Sequence, residues 1–171
     1  MIIIGAGALV LIVIVISLLV SALQPDTNIP KQLAARLQST ETIVGNAQPN
    51  LKSSKLRALN SSLKIYLTNT NRDIAAPLLL NKIDVTKLDK KIIASEAGTE
   101  MVSRLEDARL NAVYDRTYAR EIAYQLDTIV TLMSQVGKNT SSKSLKEVLT
   151  TAQSNLEPIQ KQFEDYNAAN G

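Results

Sequence analysis

Asp115 stands at an apolar position of a heptad-spaced seam, beside Tyr114, Arg116 and Tyr118. A carboxylate placed there is costly to bury unless arginine or tyrosine donors meet it. One interior polar layer in a coiled-coil-like bundle fixes register, and we assign that role to Asp115, Arg116 and Tyr118 over an exposed seam or a ligand site. Glu96 and Glu100 are one helical turn apart and share a face, so with a partner helix they could hold a hard cation. The neighbours Glu106-Asp107 and Glu164-Asp165 point to different sides of a helix and cannot converge on one ligand without another element. Glu100 also precedes Arg104 by one turn, and Glu157 precedes Lys161, the order that suits surface ion pairs. A solvated charged face is therefore expected, with no metal site.

The chain contains neither histidine nor cysteine. That removes the commonest general base and metal ligand, together with disulfide and thiolate chemistry. No glycine-rich phosphate loop and no nucleophile beside a base occurs. No catalytic residue and no cofactor is expected. Lysine and arginine number 19 against 16 aspartate and glutamate, all between residues 24 and 171. This near balance, with few interleaved aromatics, argues against nucleic acid. Lys82, Lys87, Lys90 and Lys91 form a basic cluster that is either solvated or turned to an acidic polymer or a membrane surface. Asn60-Ser61-Ser62 and Asn139-Thr140-Ser141 match the glycosylation pattern, which carries weight only in a secreted protein.

Helices must position these groups. Leu33, Leu37, Thr40, Val44 and Ala47 recur in steps of four and three, predicting a helix that closes at Gly45-Asn46 and Pro49-Asn50. Leu56, Leu59, Leu63, Tyr66 and Thr70 predict a second, over about residues 50–71. A short apolar helix over residues 73–80, started or kinked by Pro77, should follow. Asp84 or Thr86 is expected to cap a helix through Ile92 and Ile93. Beyond Gly98, Met101, Leu105, Ala108, Ala112, Asp115, Ala119, Ile122 and Leu126 continue the seam without a break to Val136. Ser141 or Ser144 should cap the last helix, whose seam runs from Leu145 to Tyr166 with a kink at Pro158. No period-two strand pattern occurs. The fold class expected for residues 26–171 is thus all-α, an antiparallel bundle of three to four helices.

Ahead of that bundle, residues 2–23 form an apolar run with no charged side chain. As a helix it would be roughly 33 Å long, about the thickness of a bilayer's hydrocarbon core. Residues 1–25 are therefore expected to be a hydrophobic, transmembrane-type helix. It lacks the basic leading region of a signal peptide. Lys31 and Arg36 follow the run, which by flanking charge alone would set the bundle in the cytoplasm. We favour the alternative of a leader removed before residue 1 and an extracytoplasmic bundle at the membrane or cell surface.

An apolar helix opening at the amino terminus, a proline just after it (Pro25) and a polar head resemble type IV pilin-like proteins over residues 1 to about 25. The resemblance implies a filament subunit whose amino-terminal helices pack as the filament core, with Ile2, Ile3, Ile4, Gly5, Gly7, Leu9, Ile12, Ile16 and Leu19 in the assembly helix. The family's glutamate near the start of that helix is replaced here by Gly5, and its β-sheet head by helices. Gly5, Ala6, Gly7 and Ala8 would instead allow close helix contact and self-association. The alternative is a single-pass anchored helical module that binds a protein partner, with a surface protein or glycan as a further candidate ligand.

Overall fold

The computed structural model describes residues 28–170. The chain is all-helical there. Helix α1 (Asn28–Ala47) leads through a 3₁₀ turn (Gln48–Asn50) to α2 (Ser54–Leu80). Short helices α3 (Lys90–Glu96) and α4 (Thr99–Leu110) precede the long pair α5 (Tyr114–Asn139) and α6 (Lys143–Asn170). The four long helices form a ring in which α1 packs on α2, α2 on α6, α6 on α5 and α5 on α1. Every neighbour in that ring is antiparallel. The chain ends α2 at one end of the bundle, here called the base, and must start α5 at the other. Residues 81–113, with α3 and α4, carry it back up along α1 and α5.

The seams explain the ring. Leu33, Leu37 and Val44 of α1, Leu56, Leu63 and Leu67 of α2, Ile122, Leu126 and Met133 of α5, and Leu156 and Phe163 of α6 are all fully buried. Each element presents one apolar stripe, and four stripes close one core.

Three expectations are corrected. The seam from Met101 to Val136 is not one helix, because α4 stops at Leu110 and the chain doubles back into α5. The Val113 amide donates to the Ala108 carbonyl at 3.0 Å while Ala112 takes φ 60°, the hydrogen-bonded wrap of a Schellman stop. Ala112, expected in the core, is exposed. Conversely, α2 does not break near residue 72 but runs through Pro77, since Ile74, Pro77 and Leu78 extend its buried stripe. Its stop uses the same wrap, with Lys82 at φ 63° and the Ile83 amide on the Leu78 carbonyl at 2.9 Å. The caps also differ: Asp89 caps α3 by accepting from the Lys91 amide, and Ser142 accepts from the Leu145 amide at the start of α6.

No described helix is long and apolar enough to cross a membrane. The apolar run expected as a transmembrane helix lies outside the described residues.

Candidate functional site

Of the residues assigned to a polar layer, Tyr118 is fully buried, Asp115 is half-buried and Arg116 is exposed. Arg116 therefore takes no part in an interior layer. Asp115 lies at the start of α5 and faces the loop before α2, where its carboxylate accepts from the Lys52 amide at 3.0 Å and the Ser53 amide at 2.6 Å. Amides just ahead of a helix have no carbonyl in their own turn to bond, and a carboxylate also suits the positive end of the helix dipole. Ser53 completes that end by accepting from the Leu56 amide. Asp115 is thus a cap supplied across the fold, tying α5 to α2.

The interior polar group is one turn deeper. Tyr118 donates its hydroxyl to Asn60 Oδ1. The Asn60 amide in turn donates to the Val44 carbonyl at 3.2 Å and to Gln48 Oε1 at 2.5 Å. Three elements thereby meet at one buried asparagine. Burial pushes the Tyr118 phenol well above its ordinary pKa, with the neighbouring Tyr114 adding to the shift. Tyr114 is also raised by burial, against a hydrogen bond with Asn50. The rings stack at 6.0 Å, and Tyr118 meets Phe163 edge-on at 6.1 Å.

A second polar group joins the crossover to the bundle. Arg36 donates to Gln125 Oε1 at 2.8 Å and sits 2.5 Å from the Glu96 carboxylate, while the Ser39 hydroxyl donates to the Glu96 carbonyl. Arg104 forms a two-pronged pair with Glu121, at 3.0 and 2.8 Å. Hydrogen bonding to Glu121 raises the Arg104 guanidinium further. Glu96 and Glu100 do not act together: Glu96 is buried on Arg36, and Glu100 is exposed with Arg104 at 3.7 Å. Among the described residues no cluster of three or more acidic groups could hold a metal ion.

Arg36, Glu96, Glu100, Arg104 and Gln125 line a cleft of about 420 Å³ between α1, the crossover and α5, with Tyr124 exposed at its edge. Beside it, Ile43, Ile93, Ala97 and Val102 line a more apolar groove of about 330 Å³. Ile93 and Val102 are both about half exposed. Chemically, the cleft is a set of matched charges and the groove a shallow apolar seat. Neither aligns a base with a nucleophile.

Gln48, Glu121 and Gln125 carry no motif in the sequence, and Asn60 and Arg36 stand out there only as a glycosylation match and a flanking charge. Glu121 and Gln125 each immediately precede a seam residue, Ile122 and Leu126, and are one turn apart. That flanking position is the available signal. Ile2, Ile3, Ile4, Gly5, Gly7, Leu9, Ile12, Ile16 and Leu19 lie outside the described residues. No protein-family model, curated protein or solved structure matches the chain, so its function must be argued from this geometry.

Proposed function

We propose that the protein is a non-catalytic, membrane-anchored helical module, held by the apolar run of residues 2–23 and presenting the side of its bundle to a protein partner. One observation carries this: the described core is closed by side chains between Leu33 and Phe163. Among the described residues, all four long helices contribute to that one core. A charge-free run of that length then requires an apolar surrounding of its own, and a bilayer supplies it. The buried polar groups support a structural role, because Asn60 and Tyr118 bond to one another and Glu96 and Glu121 pair with arginines. The groove edged by Ile93 and Val102 is the surface offered to the partner.

A second role, as a subunit of a cell-surface filament, is favoured by Gly5, Ala6, Gly7 and Ala8, whose small side chains permit close helix packing. Extraction in mild detergent separates the two. A discrete monomer or small oligomer supports the anchor, whereas helical filaments that persist by electron microscopy after removal of membranes overturn it. Protease treatment of intact cells then tests the side of the membrane, with cleavage expected for an extracytoplasmic bundle.

A further inference from the structure

The base of the bundle, the end from which α1 starts, carries two exposed leucines, Leu79 and Leu80, at 59% and 79% exposure. The chain wrap after α2 puts them there. The bond from the Ile83 amide to the Leu78 carbonyl folds the chain back, burying Leu78 and Ile83 and leaving the two residues between Leu78 and Asn81 turned outward. Leu78, Ile83, Ile29 and Leu145 line a small cleft at this same end. Lys31, Lys82, Lys138 and Lys146 each adjoin a residue lining that cleft. Among the described carboxylates of this region, Asp84 pairs with Lys87 at 3.3 Å and Glu147 with Lys143 at 3.8 Å. Among the described residues no carboxylate pairs with Lys31, Lys82, Lys138 or Lys146. Leu79 and Leu80 thus add exposed apolar surface to an end of the bundle that also carries these lysines.

The tether decides what meets this face. At about 3.6 Å per residue at most, residues 24–27 keep Asn28, the first described residue of α1, within about 18 Å of Leu23. Electrostatic attraction to a charged surface fades over about 8 Å at physiological salt, so the lysines are drawn in where the tether holds the base nearer than its full reach. We propose that the base of the bundle rests on the membrane itself, with Leu79 and Leu80 entering the boundary of the acyl region and the lysines meeting acidic phospholipid headgroups. This rests on the anchored role above. An apolar anchor and a basic patch then act as two signals on one surface, each strengthening the other.

The absence of cysteine allows a direct test on the full chain. Ser141→Cys at the base and Asn46→Cys at the far end, both exposed positions, are each labelled with a fluorophore and reconstituted into phosphatidylcholine vesicles with or without phosphatidylglycerol. Headgroup spin-labelled lipid serves as quencher, and flotation of the vesicles shows whether the chain is integrated. Quenching at residue 141 should exceed that at residue 46 several-fold in the acidic vesicles. The excess should shrink with added salt and in the variant L79S/L80S/K82Q/K138Q, whose substitutions are all at exposed positions. Equal quenching at the two ends in chain that floats with the vesicles overturns the lipid contact and leaves the anchor standing. Chain that does not float overturns the anchor, and the contact with it.

Discussion

Replacing Ala112 with glycine should stabilise the protein, although alanine is the better helix former and the residue lies on a helical spacing. At φ 60° the alanine Cβ crowds the following carbonyl, at a cost of about 1–2 kcal/mol. Glycine removes that strain but loses about 0.5–1 kcal/mol of extra chain freedom on folding. Ala112 is exposed, so no core contact is lost. The net gain is about 0.5–1 kcal/mol, or roughly 2–3 °C in Tm for a domain of this size. The sign is diagnostic. Were α4 and α5 one continuous helix, as the unbroken seam suggests, the same substitution would cost about 1 kcal/mol. Thermal and urea unfolding followed by circular dichroism measure the difference, and a fall in Tm would refute the break at residues 111–113. Gly98→Ala is the matched control. Gly98 has φ 66° and begins α4, and a Cβ there would stand 3.0 Å from Ile43 Cδ1. Strain and crowding act in the same direction, so that variant should lose about 1–2 kcal/mol or more.

Tyr118→Phe should cost about 1–3 kcal/mol, because it leaves Asn60 Oδ1 buried without the hydroxyl that donates to it. Combined with Asn60→Ala, the two losses should add to less than their sum in urea unfolding, and simple additivity would show that the contact contributes nothing. The same residue sets an alkaline limit: burial raises the folded phenol, so the unfolded chain releases its proton first. The stabilisation is fully present below the ordinary tyrosine value of about 10 and is lost as pH rises above it. Stability measured against pH should therefore decline less steeply in Tyr118→Phe than in the natural chain through that range. Asp115→Ala should cost about 1–2 kcal/mol by uncapping the approach to α2, and hydrogen exchange should quicken at the Lys52 and Ser53 amides while those near Ile83 keep their protection.

The four buried stripes were legible because burial on a helix imposes a period, and Leu33, Leu63, Ile122 and Leu156 all keep it. Helix ends were legible only where a residue type marks them. Both wraps that end α2 and α4 place a side chain, Lys82 or Ala112, where glycine is the usual signal. The stop is instead made by backbone hydrogen bonds whose partners are named by no residue type. At Ala112 the error is compounded, since the seam passes through it in register: Ala108, Ala112 and Asp115 keep the spacing on paper while the chain reverses direction between them. Pro77 misleads in the opposite sense, as it looks like a break but lies on a stripe whose burial holds the helix together. The polar layer shows why site residues are harder still. Tyr118 could be placed in the core from α5 alone. Its partner Asn60 belongs to a helix more than fifty residues earlier, and which helix faces which is fixed by the crossover of residues 81–113. Arg116 sits next to Asp115 in the expected polar layer, yet adjacent residues on a helix point to different sides. The donors that meet Asp115 are backbone amides of a loop, which every residue but proline carries. Pairing of that kind becomes visible only once the topology is known. The apolar stripes depend on one helix at a time, whereas each polar contact depends on two, and that is why the stripes could be read and the contacts could not.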